Sequence, residues 1–187
     1  IPVSMTQGIV DYFRIHGVRV MLSIGGITYT TAWNQALAKD AAQLGRNAAA
    51  LAEQLGVGIE IDYEENTDPN LVELEKLIRA YRSVHPFDPA EPAMPRRLTI
   101  DVAAGDRWLI ALNRKATADW LRTTDHPVGQ DPAIALDWAN AMVPARQPSV
   151  DKAIASWQEH VDGKPQYAPP VPPLAPAKLT GGLYLAE

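Results

Sequence analysis

The spacing of hydrophobic residues along the chain changes repeatedly between a helical period and short apolar runs of strand length. Between Trp33 and Leu55, apolar side chains recur at intervals of three and four residues, which predicts a helix with one buried face. The apolar run at residues 18–24 ends at Gly25 and Gly26, which predicts a buried strand followed by a turn. Applied to the whole chain, these rules predict strands at residues 18–24, 57–64, 98–103, 134–143 and 179–185, and helices at residues 4–16, 33–55, 117–123 and 150–161.

Proline and acidic residues mark the remaining boundaries. Asp68 and Pro69 form an N-cap and first-turn pair that predicts one more helix between the second and third strands, and His85-Pro86 would end it. Prolines are also dense at residues 164–176, where regular structure is excluded and an extended surface loop is expected. The chain therefore consists of strands alternating with helices.

This alternation predicts a parallel sheet joined by right-handed crossovers, and thus an α/β fold. Neither the GxGxxG nor the GxxxxGK fingerprint of open nucleotide-binding sheets occurs in the chain. Chemistry in a (β/α)8 TIM barrel lies at the carboxyl ends of the strands, which is where Glu64 and Gly25 are placed. A complete barrel has eight strands and about 250 residues. We therefore expect residues 1–187 to form a single partial barrel domain that supplies about five strands.

Composition narrows the possible partners and ligands. The 187 residues are 47% hydrophobic and 21% charged, as in an ordinary globular domain, and the net charge of -5 argues against nucleic acid or an anionic membrane as the main partner. No run of about 18 apolar residues is present, so no membrane-spanning helix is expected. Cysteine is absent, and the four histidines lack ligand spacing. We predict no metal and expect surface positions for His16, His85, His126 and His160.

The most informative segment is the strand at residues 57–64, because its carboxylates occupy alternate positions. Side chains of a strand point alternately to its two faces, so Glu60, Asp62 and Glu64 share one face. If that face lines a packed interior, repulsion and lost hydration would keep at least one carboxyl protonated, as general-acid catalysis requires. If the strand lies at an edge, the acids are simply solvated. The segment alone leaves both readings open.

Two short motifs resemble those of a known enzyme family. Ser23-Ile24-Gly25-Gly26 resembles the SxGG motif of the third barrel strand of family 18 glycoside hydrolases, the chitinases and endo-β-N-acetylglucosaminidases. Residues 58–64, read as Gly-Ile-Glu-Ile-Asp-Tyr-Glu, are similar to the DGxDxDxE motif of the fourth strand. The resemblance implies a TIM barrel, hydrolysis of β-1,4 linkages at N-acetylglucosamine with retention of configuration, and no cofactor. It also implies secretion and an oligosaccharide or polysaccharide containing N-acetylglucosamine as substrate.

The resemblance assigns roles within the acidic strand. Glu64 matches the family's proton donor to the glycosidic oxygen, and Asp62 matches the aspartate that orients the 2-acetamido group. The acetamido oxygen then attacks the anomeric carbon, which is the substrate-assisted exception to the two-carboxylate scheme. Glu60 stands where the family has aspartate, and a relay through it is a further possibility. Tyr63 is expected to point away from the acids and to serve packing.

Other positions are candidates for substrate binding. Gly25 and Gly26 belong to the SxGG-like motif, and Asn140 and Met142 have the parity to face inward. Trp108 either stacks on a sugar or covers a helix end. Tyr29 and Trp33 flank the loop after Gly26, where substrate contacts are plausible, although Trp33 could instead anchor the helix start. Asp101 is expected to face inward with Thr99, as a hydrogen-bond partner of the acids or as a satisfied buried acid.

One departure from the family pattern leaves the activity open. The sixth-strand motif, usually Met-x-Tyr-Asp, aligns with Met142-Val143-Pro144-Ala145, so the tyrosine that helps to bind the acetamido group is missing. Arg146 or Gln147 could supply donors from the following loop. The alternatives to an enzyme are a chitinase-like carbohydrate-binding protein without turnover, and a barrel fragment that neither folds alone nor acts.

Overall fold

The computed structural model describes residues 3–88, 90, 94–103, 108–121, 131–142 and 149–181, in which strands and helices alternate. The strands are β1 (Met21–Gly25), β2 (Gly58–Asp62), β3 (Leu98–Ala103), β4 (Ala139–Met142) and β5 (Leu179–Gly181). The helices are α1 (Val3–Ile15), α2 (Thr30–Leu55), α3 (Leu71–Val84), α4 (Ile110–Lys115) and α5 (Val150–Asp162). A π-helical segment, Ala116–Trp120, continues α4.

The five strands form one parallel sheet in the order β1-β2-β3-β4-β5. Each strand therefore pairs with its neighbour in the chain, and the connection returns over the sheet before the next strand begins, as parallel pairing requires. This arrangement confirms the predicted α/β class with a parallel sheet. All described carboxyl ends lie at the same edge, which we call the carboxyl edge.

One face of the sheet is apolar and packs against the helices. Ile59 and Ile61 of β2 are buried together with Leu98, Ile100 and Val102 of β3. Helices α2 and α3 cover this face and pack against each other closely, since a Cβ at Gly45 would lie 2.3 Å from the carbonyl oxygen of Leu77. The other face carries the polar residues of alternate strand positions, and we call it the inner face.

The buried stripe of α2 confirms the periodicity read from the sequence. Its buried side chains include Trp33, Leu37, Ala41, Ala48, Ala52 and Leu55. The helix begins three residues earlier than predicted and is interrupted at Asp40, which has φ -169 and ψ 84. The Asp40 carboxylate accepts a hydrogen bond from the Gln43 amide at 2.8 Å, so it caps the second segment of the helix.

Several predicted boundaries differ from the structure for local reasons. Strand β1 starts at Met21, because the Val18 amide bonds to Phe13 in the turn that ends α1. Strand β4 covers 139–142 instead of starting at residue 134, since Pro132 begins a 3-10 turn that the Asp131 carboxylate caps. The predicted helix at 117–123 corresponds to α4 with its π-helical continuation and starts at Ile110.

Helix α3 is capped by Asn70, not by the predicted pair Asp68-Pro69. The Asn70 side chain accepts a hydrogen bond from the Glu73 amide at 3.2 Å. The Asn70 amide in turn donates to the Tyr63 hydroxyl at 3.1 Å. The helix therefore begins where its first turn can be tied to the carboxyl end of β2.

Two of the expected surface histidines are buried. His85 ends α3, and its Nε2 atom lies 3.1 Å from the Ala49 carbonyl oxygen. His160 lies in the buried face of α5, and desolvation lowers its pKa to about 4. His16 is exposed, whereas His126 falls outside the described residues. Placement at element ends was therefore a poor guide to exposure, because helix ends in this fold pack against neighbouring helices and loops.

A buried cluster of ion pairs lies at the amino edge of the sheet, opposite the carboxyl edge. Arg82 of α3 is 2% exposed and donates to the Asp137 carboxylate at 3.0 Å and to the Ala135 carbonyl at 2.6 Å. Asp137 also accepts from Arg97 at 2.6 Å and from the Leu98 amide at 2.7 Å. The cluster joins α3 to the segments that lead into β3 and β4.

The proline-rich segment at 164–176 has no helix or strand before the 3-10 turn that begins at Pro176, but it is not entirely at the surface. Lys164 and Val171 form an isolated antiparallel bridge. Val171 and Leu174 are buried, and the Leu174 amide donates to the His160 carbonyl at 2.9 Å. Part of this segment therefore packs against the C-terminal end of α5.

Candidate active site

Strand register brings the polar residues of the inner face into rows. Gly25 lies opposite Asp62 in the β1–β2 ladder, and Ser23 lies opposite Glu60. Asp101 lies opposite Asn140, which in turn lies opposite Thr180. Partners in a parallel ladder point to the same face, so these side chains face one volume. The acids of β2 are thus on the inner face, as the barrel interpretation predicted.

Glu60 and Asp101 form a hydrogen-bonded pair at the centre of the sheet. Asp101 is 8% exposed. Its burial, followed by the charges of Glu60, Asp62 and Glu64, raises the pKa of Asp101 to about 9. Burial also raises the pKa of Glu60, against the hydrogen bonds from Thr99 and Asp101, which lower it. Asp101 is therefore protonated near neutral pH and donates to Glu60, and the Thr99 hydroxyl donates to Glu60 at 3.3 Å.

Asp62 and Glu64 form a second pair at the carboxyl edge. Asp62 is the last residue of β2 and Glu64 follows two positions later, with both side chains half-buried. Burial raises the pKa of Asp62 to about 6, with further contributions from the charges of Glu64 and Glu60 and from a hydrogen bond to Glu64. The Asp62 Oδ1 atom is buried and has no hydrogen-bond partner among the described residues. Asp62 therefore retains its proton up to about pH 6 and can donate it in a hydrogen bond to Glu64.

Gly25 and Gly26 bring the end of β1 against Asp62. The Gly26 amide donates to the Asp62 carbonyl at 3.0 Å. A Cβ at Gly26 would lie 3.6 Å from the Asp62 Oδ2 atom. Both glycines have positive φ, 137 at Gly25 and 99 at Gly26, a backbone region that favours glycine. The glycine pair therefore lies directly beside the Asp62 carboxylate.

The first turns of α2 hold the ends of β1 and β2. Trp33 is buried and its Nε1 donates to the Ile24 carbonyl at 3.2 Å, so it anchors the helix start. Tyr63 is fully buried on the helix side of the sheet, and its hydroxyl donates to Asn34 Oδ1 at 2.5 Å. Tyr63 therefore serves packing and positioning, as its parity on the strand predicted. Tyr29 is 60% exposed beside Gly26, at the carboxyl edge.

Asn140 and Met142 line a cavity of about 460 Å³ on the inner face, together with Glu60 and Asp101. Trp138 and Thr180 contribute further walls, and the Thr180 hydroxyl donates to Asn140. The structure thus brings two predicted substrate contacts next to the Glu60–Asp101 pair. The volume is within the range of small-ligand sites in proteins.

Trp108 is half-buried and packs against the hydrophobic core. The amide of the next residue, Leu109, donates to Asn66 Oδ1 at 2.9 Å. Trp108 therefore lies where the chain after β3 meets the loop after β2. Of its two predicted roles, stacking on a sugar or covering a helix end, the observed packing against the core favours the second.

Some predicted positions lie outside the described residues: Val143, Pro144, Ala145, Arg146 and Gln147. Within the described part of the chain, no group of three or more acidic or histidine side chains is arranged to hold a metal ion. No described helix combines the length and the apolar character needed to cross a membrane.

The comparison with known proteins supports the fold. No family model matches the sequence, and no curated protein matches it significantly. In three dimensions, the chain is similar to a chitinase from Rhizomucor miehei, with a TM-score of 0.52 and 18% sequence identity. The match covers 84% of this chain and 52% of the chitinase chain, so this chain spans about half the length of that enzyme. The protein thus has an α/β fold that matches part of a TIM-barrel-like chitinase fold.

Sequence reasoning missed one contributor to the site. Asn34 contacts residues on both sides of Glu64, through the Tyr63 hydroxyl and the Glu65 carboxylate. Nothing in the sequence marks this asparagine, because a polar residue on an amphipathic helix is ordinarily solvated. Asp101, by contrast, was identified by strand parity alone.

Proposed function

We propose that this protein is a chitinase-type glycoside hydrolase that cleaves β-1,4 linkages at N-acetylglucosamine by a retaining, substrate-assisted mechanism. The observation that carries the proposal is the hydrogen-bonded Asp62–Glu64 pair at the carboxyl edge, beside Gly25 and Gly26. Carboxyl ends of strands are where barrel enzymes place their chemistry. The chitinase-like fold and the two family-like motifs support the same assignment.

In the proposed reaction, Glu64 donates a proton to the glycosidic oxygen while the bond from that oxygen to the anomeric carbon breaks. The acetamido oxygen of the substrate forms a new bond to the anomeric carbon and gives a cyclic oxazolinium. Asp62 accepts a hydrogen bond from the acetamido nitrogen and stabilises the developing positive charge. Water then opens the ring, and Glu64 takes the proton of the water, so that the enzyme returns to its starting state.

In this proposal, Glu60 and Asp101 act on Asp62 through their states of charge. Because Asp101 retains a proton, the four acids do not carry four charges near neutral pH. A neutral Asp101 adds no repulsion to Asp62, so the pKa of Asp62 is raised mainly by its burial, with smaller contributions from the charges of Glu64 and Glu60. Asn140 and Met142 would line the wall of the sugar site, where the cavity of about 460 Å³ opens.

Turnover of a chromogenic chitooligosaccharide tests the proposal. We expect Glu64→Gln and Asp62→Asn each to lower kcat by about 10²- to 10⁴-fold, the usual contribution of a positioned acid or base. Asp151→Asn, which changes an exposed carboxylate in the first turn of α5, is the matched control and should leave kcat unchanged. Equal rates for the parent and Glu64→Gln would overturn the catalytic assignment.

The second candidate is a carbohydrate-binding protein without turnover. It is favoured by Pro144 and Ala145, which stand where the family motif has a tyrosine and its acidic neighbour. Isothermal titration calorimetry with the same oligosaccharide distinguishes the two candidates. Saturable binding by the parent, with no product released, would favour the binding protein.

A further inference from the structure

Strand pairing in the sheet ends two residues before Glu64, the proposed proton donor. The β1–β2 ladder ends at the pair of Gly25 and Asp62. Glu64 lies two residues beyond, where no described strand pairs with it. Its position must therefore be fixed by contacts other than ladder hydrogen bonds, because a proton donor misplaced by about 1 Å loses roughly 10²-fold in rate.

Those contacts come from one face of α2. Thr30 and Asn34 are four residues apart, so their side chains lie above one another on the helix. The Thr30 hydroxyl shares its proton between the Ile27 carbonyl oxygen at 3.0 Å and the Glu64 carbonyl oxygen at 3.4 Å. Asn34 reaches the residues on either side of Glu64, since it accepts from the Tyr63 hydroxyl at 2.5 Å and donates to Glu65 at 3.1 Å.

The hydrogen bonds around Asn34 form a series in which each group donates to the next. The Asn70 amide donates to the Tyr63 hydroxyl at 3.1 Å, so the hydroxyl proton is free to go to Asn34 Oδ1. Asn34 Nδ2 then donates to Glu65, whose other oxygen accepts from the Thr67 amide at 2.7 Å. An amide side chain supplies both the acceptor and the donor that this series needs, and a carboxylate supplies the acceptor alone.

We propose that Asn34 is a positioning residue that fixes Glu64 at the carboxyl edge by bridging Tyr63 and Glu65. This inference rests on the proposed function, in which Glu64 is the proton donor. Asn34 itself does not need to touch the substrate. Its contribution is to hold the backbone of three consecutive residues against α2, at the point where the sheet ends.

A donor–acceptor exchange tests the bridge. In Asn34→Asp, the acceptor for Tyr63 remains, but the donor to Glu65 is replaced by a like charge. We expect kcat to fall by about 10- to 100-fold with KM within about threefold, because the geometry of the donor changes more than binding does. In the double variant Asn34→Asp, Glu65→Gln, the glutamine amide donates to the aspartate and restores the bridge with reversed polarity. We expect its kcat to return to within about threefold of the parent value.

One further variant and an unfolding measurement separate positioning from folding. Glu65→Gln alone leaves one acceptor oxygen for two donors, Asn34 Nδ2 and the Thr67 amide, so we expect its kcat to lie between those of the parent and Asn34→Asp. Urea unfolding of every variant verifies that the protein is folded at the assay temperature. The inference is overturned if folded Asn34→Asp keeps the parent kcat, or if the double variant remains as slow as Asn34→Asp.

A readout without turnover makes failure of this inference distinguishable from failure of the proposed function. Burial raises the pKa of Asp62 most, and the neighbouring Glu64 raises it further by its charge and by a hydrogen bond. If Asn34 holds Glu64 in place, Asn34→Ala should lower the pKa of Asp62 toward its ordinary value in a ¹³C NMR titration of the carboxyl groups. An unchanged Asp62 titration overturns the inference even if the parent is an enzyme. A lowered value supports it even if the parent proves inactive.

Discussion

Gly25 lies so close to Asp62 across the β1–β2 ladder that a Cβ at Gly25 would be 1.9 Å from the Asp62 carbonyl oxygen. No van der Waals contact permits that distance, and the backbone at Gly25 also has φ 137, where side chains are strained. The glycine of the SxGG-like motif is therefore required for the approach of the two strands at the site.

We expect Gly25→Ala to destabilise the protein by about 1 to 3 kcal/mol, because a strand must shift and a positive φ is retained. Gly8→Ala is the matched control, since nothing lies within 4 Å of a Cβ at this exposed position of α1. That variant should be neutral or up to about 1 kcal/mol more stable, as alanine favours the helix. Urea unfolding measures both, and equal midpoints would contradict the strand-contact argument.

The raised pKa of Asp62, about 6, sets an expectation for the pH dependence of activity. Below this pH Asp62 holds a proton beside Glu64, and above it that proton is lost. We therefore expect kcat/KM to decline as pH rises through about 6. Asp62→Asn removes this titrating carboxyl group, so the residual kcat/KM of the variant should not decline as pH rises through about 6. A parent profile that is flat between pH 5 and 8 would count against the pair as the proton source.

The raised pKa of Asp101 leads to a prediction about the stability of the protein, not about its activity. The unfolded chain releases the Asp101 proton near the ordinary value of 3.8, whereas the folded protein keeps it to about 9. Because the folded state binds more protons in this window, the Asp101 contribution to the free energy of unfolding is greatest below pH 4 and is lost progressively up to about pH 9.

Asp101→Asn retains a donor to Glu60 but cannot ionise, so its free energy of unfolding should fall less steeply from pH 4 to pH 9 than that of the parent. Urea titrations at intervals of one pH unit measure the two curves. Asp151→Asn, which changes an exposed carboxylate, should give a curve parallel to the parent. If the Asp101→Asn curve also runs parallel to the parent, Asp101 is not the protonated member of the pair.

The ion cluster at the amino edge predicts a large difference between buried and exposed pairs. Asp137→Ala leaves the Arg82 guanidinium buried without its carboxylate, and removing one partner of a buried pair costs about 3 to 5 kcal/mol. Lys76→Ala breaks the Lys76–Glu73 pair, in which the lysine side chain is 57% exposed, and should cost about 0.5 kcal/mol or less. Comparable costs in thermal or urea unfolding would contradict the structural role of the cluster.

The shared face of the acids could be predicted from the sequence, because strand parity is a local property, whereas the inward direction of that face followed only from the barrel interpretation. Glu60, Asp62 and Glu64 share a face whatever the rest of the chain does. The prediction that Asp101 and Asn140 face the same volume also followed from parity, once parallel pairing had been inferred from the alternation of strands and helices. These features need no knowledge of long-range contacts beyond the class of the fold.

The boundaries and the supporting contacts were not predictable in this way. Asn70 caps α3 in place of Asp68 because Tyr63 binds the Asn70 amide, a contact between residues on opposite sides of a loop. His85 and His160 are buried because neighbouring helices and loops cover them, which their positions at element ends do not reveal. Such outcomes depend on which surfaces meet after folding.

The sequence by itself determined the periodicity of each element, the parallel α/β class and the single face on which the acids lie, since each of these follows from local backbone geometry. Only the tertiary structure decided which protons the acids keep and what holds Glu64, because desolvation and hydrogen bonding are properties of the assembled neighbourhood. Asp101 is protonated because β2 and β3 bury it against Glu60, and Asn34 becomes part of the site because α2 packs across the end of β2.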